Sequence, residues 1–404
     1  MVLWFMYLVQ NTRDIRIEYV YPEHADMTIG FKEDDDIVLA IDFYNKLSLS
    51  IFDPDLFFKD ELLIRNEFGH PDYISTAIYL SNCIQEYNAE YKDKFGRFDE
   101  QQGLQKKFGV ERKNYVVELI DCFLEQCGIK PVRTPSQICI SHDIDFLTSG
   151  YKQEFLFALN SGDIRSAIRF TSERLKGGSP WDNIAELIKL DQSLGVNATF
   201  YWLNNNQPSE QGIANADYVL DSENLTRVNR AGLVNGLHKS VSKANVFREA
   251  DDFPVRVIHN RFHYLAFNLP QAWQELEHKK STIRTDSSLG FSRMIGFRNS
   301  YGLPFYPYNF YEERPFDTLI FPLNVMDVAL KSHSSQDRHL VVKETMDFVL
   351  SNKEDALISL LFHNNELTPY SNKYMLDAYK DIIDIIHEEG LDIIGMDEAY
   401  EIFR

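Results

Sequence analysis

The stretch ICISHDIDFL, Ile138 to Leu147, decides how this chain is read. An apolar run with strand character closes in two carboxylates, Asp143 and Asp145, one residue apart. If the strand persists through them, alternation puts both side chains on one side. In parallel α/β proteins the functional groups gather where strands end, at the C-terminal edge of the sheet. Two carboxylates there suit a metal ion or a proton acceptor. The plain alternative is a helix N-cap or a pair of solvated loop acids.

Three later segments repeat the pattern. In AGLVNGLHKS, residues 231–240, an apolar run ends in His238, and neutral imidazole is a common zinc ligand. In VIHNRFHYLAF, residues 257–267, Arg261 and His263 alternate and so face one side, with His259 two residues before. An always-charged arginine there can clamp a carboxylate; an ordinary strand end with a surface arginine is the alternative. In ALISLLFHNNEL, residues 356–367, a strongly apolar strand ends at His363, well placed for a general acid, with a capping loop as the alternative.

Around these motifs the pattern alternates. Strands are expected at Gln137–Ser141, Ala198–Leu203, Leu233–Leu237, Val255–Ile258, Thr282–Thr285, Leu319–Pro322, Ala356–Phe362 and Asp392–Ile394. Helices are expected at Asp182–Leu194, Pro270–His278, Gln336–Leu350 and Asn372–Glu389. Such alternation implies a mostly parallel sheet with crossover helices. About eight strands suit a (β/α) barrel, complete or incomplete; an open doubly wound sheet is the alternative. A helical insertion, Tyr151–Lys176, separates Asp145 from the next motif.

The two prolines of GIKPVRTPSQ, residues 128–137, place a domain boundary there. Residues 1–130 then read as a smaller α+β accessory domain and 137–404 as the barrel. In the first region MVLWFMYLVQ reads as a buried strand, and IRIEYVY, DIVLAIDFYN and LSLSIFD add β character. Helices follow near Ile74–Tyr91 and Lys113–Gln126, joined by a polar, turn-rich loop. Nothing in this region looks catalytic.

The chain has 404 residues with 41 basic and 61 acidic side chains, a net charge of −20. Such a surface repels phosphate backbones, which argues against nucleic acid as a partner, and the overall charge also disfavours docking on anionic lipid. The apolar N-terminus lacks a basic leader and is too short to span a bilayer. Four scattered cysteines, Cys83, Cys122, Cys127 and Cys139, read as reduced core residues of a cytoplasmic protein.

The order of the motifs resembles the polysaccharide deacetylases of carbohydrate esterase family four, more narrowly a bacterial subgroup with an uncharacterised N-terminal domain. The residues that carry the resemblance are His142-Asp143-Ile144-Asp145, Gly236-Leu237-His238, Arg261-Phe262-His263-Tyr264, Asp286-Ser287-Ser288-Leu289-Gly290, Gly296-Phe297-Arg298 and His363-Asn364-Asn365. It covers about 137–404, with a weaker likeness before it in PDYISTAIYLSNCIQEYNAEY and FGRF.

The resemblance implies Asp143 as catalytic base, Arg261 as its orienter, Asp145 and His238 as ligands of a divalent metal such as zinc, and His363 as acid. Asp286 is expected to orient His363. It implies removal of N- or O-acetyl groups from a sugar or polysaccharide precursor. One departure stands out: the family pairs two histidines four apart, and here the position four after His238 is Ser242. Hydrolytic zinc sites use three protein ligands plus water; His263, which sits in the adjacent motif, is the expected replacement and His259 the runner-up. A catalytically weakened, carbohydrate-binding relative is the rival expectation. A phosphohydrolase of the haloacid-dehalogenase type also uses Asp-x-Asp, but its later lysine is not evident and it leaves His238 and His363 unexplained. The aromatic loop with Phe297, Tyr301, Phe305, Tyr306, Tyr308, Phe310 and Tyr311 is read either as a platform for sugar rings or as packing on the barrel rim.

Overall fold

Apolar runs separated by amphipathic helices fold here into one parallel sheet that curls on itself. The computed structural model describes residues 1–13, 15–18, 27–90, 92–93, 95–175, 177–278 and 280–404. The sheet's strands are β1 (Gln137–Ile144), β2 (Thr199–Leu203), β3 (Val234–Lys239), β4 (His259–Phe262), β5 (Thr285–Asp286), β6 (Leu319–Ile320), β7 (Val325–Met326), β8 (Leu357–Leu361) and β9 (Asp392–Ile393). The ladder runs β6-β5-β4-β3-β2-β1-β8-β7, with β9 paired to the start of β1.

The two ends of the ladder, β6 and β7, are consecutive in the chain. Their connector bonds to both sides of the gap: Phe321 N donates to Asp286 O (2.8 Å) and Leu323 N to Leu289 O (2.9 Å), then Asn324 N to Ser359 O (3.2 Å). The fold is thus an incomplete (β/α) barrel, bridged by one extended segment rather than closed by a strand pair.

Strand β4 begins four residues after the expected Val255. Its residues His259, Asn260, Arg261 and Phe262 are all buried, so polar side chains form the strand where apolar ones were sought.

The first region differs more. Its leading segment is not a strand but the helix α1 (Val2–Arg13). Short apolar runs do not separate helix from buried strand by periodicity, and leucine and methionine favour the helix. Polar contacts near its two ends fix it: Trp4 Nε1 donates to Tyr306 O (2.7 Å), and Arg13 pairs with Asp121 (2.6 Å) and Asp355 (2.5 Å). DIVLAIDFYN gives a two-residue strand, Ile37–Val38, paired to Ile29–Gly30, and then the helix Ile41–Ser48. LSLSIFD is the end of that helix and irregular chain. IRIEYVY lies partly outside the described residues, and its described part, residues 15–18, is irregular. The helix expected at Ile74–Tyr91 is α2 (Tyr73–Ser81), stopped at Cys83 by a left-handed φ of 52°. The second is α3 (Tyr115–Gln126). One hydrophobic core runs from Trp4 and Phe5 through Ile78 and Val116 to Ile140, Leu360 and Ile383. The N-terminal region and the barrel therefore share apolar packing.

The expected insertion is a pair of helices, α4 (Tyr151–Asn160) and α5 (Ile164–Leu175), rooted at the end of β1. Lys176 lies outside the described residues. Among the described residues no helix is long and apolar enough to cross a membrane.

Candidate metal centre

Alternation along β1 decides which of its side chains meet. Ser141 and Asp143 share the barrel-interior side, where Arg261 Nη1 donates to both Ser141 Oγ (2.9 Å) and Asp143 Oδ1 (2.7 Å). His142 points the other way, into the helix layer. Its Nδ1 bonds Phe362 O (2.9 Å), and its Nε2 bonds Asp191 (3.1 Å), which also accepts from Tyr379.

Asp145, His238 and His263 converge. One ligand atom from each lies within 4.8 Å of the others, and all three residues are buried. His238 Nε2 stands 3.3 Å from Asp145 Oδ1, and His263 Nε2 3.5 Å from Asp145 Oδ2. The outer nitrogens are committed. His238 Nδ1–H donates to Arg261 O (2.9 Å), and His263 Nδ1–H to Asn215 Oδ1 (3.3 Å). Asn215 is itself fixed, since Oδ1 accepts from Val241 N and Nδ2 donates to Gln207 O. With Nδ1–H held by an oxygen, both imidazoles can present an Nε2 lone pair inward, the arrangement that suits a metal-bound histidine. The inward atoms Asp145 Oδ1, His238 Nε2 and His263 Nε2 are buried without a hydrogen-bond partner. Buried polar atoms are rarely left so, because an unmade bond costs about 1–3 kcal/mol. A divalent cation satisfies all three, so the residues present fit a metal.

His263, the expected replacement, lies beside Asp145 and His238. The runner-up does not: His259 bonds Thr285 Oγ1 (2.7 Å) and Asp397 Oδ1 (2.7 Å) through its two nitrogens. Ser242 donates to Glu249 (2.7 Å).

Charge is organised around the cluster. Burial pushes the Asp145 carboxyl up, but His263, His238 and His363 together outweigh it and hold it well below the usual range. For His238, burial lowers the value and Asp143 with Asp145 more than reverse it, a net rise. For His263 burial wins and the value falls, which leaves a neutral ligand.

Arg261 lies over the Tyr201 ring at 4.3 Å and donates through Nε to Ser287 O (3.2 Å). The Tyr201 ring has room because residue 236 is glycine: a Cβ there would come 2.6 Å from it. Asp286 does not orient His363. It accepts from Asn260 Nδ2 (2.6 Å), Ser288 N (2.8 Å) and Ser288 Oγ (3.0 Å), bracing the end of β4, and burial raises its carboxyl to about 6. The partner of His363 is Asp327, whose Oδ1 accepts from Nδ1 (2.8 Å) and whose Oδ2 accepts from the His363 backbone N–H (2.6 Å). Burial lowers the His363 value, but Asp327, backed by Asp145 and Asp143, raises it to about 10. Its Nε2 faces Asp145 Oδ2 at 3.6 Å.

A cleft of about 350 Å³ opens onto Asp143, Asp145 and His363, walled by Phe95, Phe146 and Tyr264 among others. Phe95 comes from the N-terminal region and stacks on Tyr264 (4.6 Å), which stacks on His263 (3.8 Å). Arg97 holds Tyr264 O at 2.8 Å. The aromatic loop 297–316 is not this wall: Phe297, Tyr301, Phe305 and Tyr308 are buried, and Tyr308 packs on Trp4 of α1. In the Gly296-Phe297-Arg298 segment, Arg298 makes a buried pair with Glu86 (2.6 Å), tying the N-terminal region to the rim. Sequence reading missed Asp327, Asn215, Tyr201 and Phe95. Of these Asp327 alone had a signal, since Val325-Met326-Asp327 is again an apolar run closing in a carboxylate.

No family model and no curated protein matches the chain. Solved structures are similar to it over 67% of its length. A provisionally assigned polysaccharide deacetylase from Mycobacterium smegmatis is 10% identical, with 91% of that chain covered and a TM-score of 0.39. A mutant of the peptidoglycan deacetylase PdaC from Bacillus subtilis is 12% identical, with 92% covered and a TM-score of 0.27. A pseudoenzyme from Bacillus anthracis is 11% identical, with 68% covered and a TM-score of 0.29, and is named as a member of carbohydrate esterase family four.

Proposed function

We propose that this chain is a metal-dependent carbohydrate deacetylase of the polysaccharide-deacetylase family, acting on N- or O-acetyl groups of a sugar or polysaccharide precursor in the cytoplasm. The observation that carries the reading is the trio of buried, unpartnered ligand atoms on Asp145, His238 and His263, set between a clamped carboxylate and a carboxylate-backed histidine.

Asp145, His238 and His263 would hold a divalent ion, zinc being the best match to two histidines and a carboxylate, and such an ion would supply Lewis acidity and lower the pKa of water. The remaining steps belong to the chain. Arg261 fixes Asp143 by Oδ1, and Oδ2 lies 3.5 Å from His238 Nε2, at the edge of the ligand cluster. Asp143 therefore takes the proton of an attacking water as general base. As the new C–O bond forms, the acetamide C–N bond breaks, and His363 delivers a proton to the departing amine. Its high pKa keeps that proton available at neutral pH. Acetate and a free amino sugar result; an O-acetyl substrate gives acetate and an alcohol. Asp327 acts only through His363, as a positioning residue. Phe146 in the cleft wall offers apolar surface to a sugar ring, while Tyr264, stacked between Phe95 and His263, shapes the opening. Residues 1–130 serve as an accessory unit to the 137–404 barrel by supplying Phe95 and Arg97 to that wall.

The test is acetate release from N-acetylglucosamine oligomers by protein supplied with zinc. Release that Asp143→Asn abolishes supports the hydrolase. Saturable sugar binding without acetate release points to a carbohydrate-binding relative that has lost its chemistry.

A further inference from the structure

The helical pair that follows Asp145 leaves apolar surface open. Six large apolar side chains stand exposed within residues 151–175: Leu156, Phe157, Leu159, Ile164, Ile168 and Leu175. On α5 they are ordered. Ile164, Ile168 and Leu175 fall within about 40° of one another on a helix of 3.6 residues per turn, and are 66%, 65% and 84% exposed. Ala167 and Phe170, on another side of α5, pack with Ala158 of α4 into a small separate core. The stripe is therefore surplus to the hairpin's own packing.

Its setting has a charge. The whole chain carries 41 basic and 61 acidic residues, but residues 151–176 carry five basic (Lys152, Arg165, Arg169, Arg174, Lys176) and three acidic (Glu154, Asp163, Glu173). Of the acids, Glu154 is buried and accepts from Trp181 Nε1 (3.1 Å), and Asp163 accepts from Ser166 at the start of α5. A short helix with an apolar stripe and an arginine-bearing polar side suits the headgroup boundary of an anionic bilayer.

We propose that the α4–α5 hairpin docks this protein peripherally on an anionic lipid surface, with Ile164, Ile168 and Leu175 entering the boundary and the exposed Lys152, Arg165 and Arg174 meeting the headgroups. The hairpin's root is also the rim of the cleft. Trp181 packs on the cleft residue Phe146 (5.8 Å), and a Cβ at Gly150, with its φ of +92°, would come 2.3 Å from the Trp181 indole. Docking therefore sets the cleft beside the headgroups. The inference stands apart from the hydrolase reading, because no residue of the metal centre takes part.

The test is sedimentation of the full chain with vesicles of phosphatidylcholine alone and of phosphatidylcholine mixed with phosphatidylglycerol. The wild type is expected to pellet several-fold more with the mixed vesicles, and less as salt rises. The Ile168→Asp, Leu175→Asp double variant is expected to fall to the background of protein without vesicles while keeping the wild-type circular dichroism. His238→Ala, which strikes only the metal centre, is expected to pellet like the wild type. Equal pelleting of wild type and double variant, or none by either, overturns the proposal. So does a wild-type dimer in light scattering that the double variant dissociates, since a second copy then covers the stripe.

Discussion

Two pairs of buried histidines share one barrel, His142 on β1 with His259 on β4, and His238 on β3 with His263 just past β4, and they differ in how their ring nitrogens are bonded. His142 and His259 have both ring nitrogens bonded to protein. His238 and His263 have Nδ1 bonded and Nε2 buried without a partner. Burial and residue type are shared, so neither separates a structural histidine from a ligand. The convergence of unpartnered atoms does: single unpartnered polar atoms occur elsewhere in the core, but His238 Nε2, His263 Nε2 and Asp145 Oδ1 belong to three side chains whose ligand atoms lie within 4.8 Å of one another.

Breaking the chemistry around the open pair has the largest expected effect. Asp143→Asn removes the base and leaves the metal ligands untouched, so acetate release falls by about 10²–10⁴-fold, the usual worth of a general base, with metal content unchanged. Loss of metal in that variant would mean that Asp143 is itself a ligand. Next comes the outer shell. Asn215→Ala frees the His263 ring, and metal affinity measured by competition with a chelator drops roughly 10–100-fold; Tyr264→Ala tests the stacked side of the same ring.

A subtler change is expected in pH dependence. His363 works only while protonated, and Asp327 contributes to a pKa raised to about 10. Asp327→Asn removes that contribution, so the proton is lost at lower pH and the alkaline limb of the acetate-release profile moves towards neutrality. An unmoved limb would take His363 out of the acid's role. On the acidic side, metal must displace a proton from His238, whose pKa is raised, so affinity falls as pH drops.

The smallest effect on chemistry belongs to the bonded pair. His142→Leu leaves the buried Asp191 carboxylate short of a partner, and stability falls by about 1–3 kcal/mol, read from the denaturant midpoint. Metal stays bound. Metal loss in folded His142→Leu would erase the contrast between the two pairs.

Much of this contrast was legible in sequence because barrel strands end where side chains turn polar. Asp143, Asp145, His238 and His363 each close an apolar run, and the ligand count calls for a third residue, but sequence alone left His263 and His259 both open. Other features were not legible. Strand β4 carries His259, Asn260 and Arg261 in a buried interior, so a search for apolar residues placed it too early. The N-terminal helix α1 is apolar on most sides, which erases the period that tells helix from strand. Asp286 and Asp327 both end strand-like runs, and only the fold decides which of them reaches His363. Phe95 touches the site from far away in sequence, through a stack no motif announces.

The most direct measurement is the metal content of the purified protein by elemental mass spectrometry, beside His238→Ala, His263→Ala and the bonded control His259→Ala. Near-stoichiometric zinc or another divalent ion is expected in the wild type and in His259→Ala, and its loss in both of the other variants. No bound metal in the wild type after metal is supplied at neutral pH, or retention in His263→Ala, would contradict the three-residue centre.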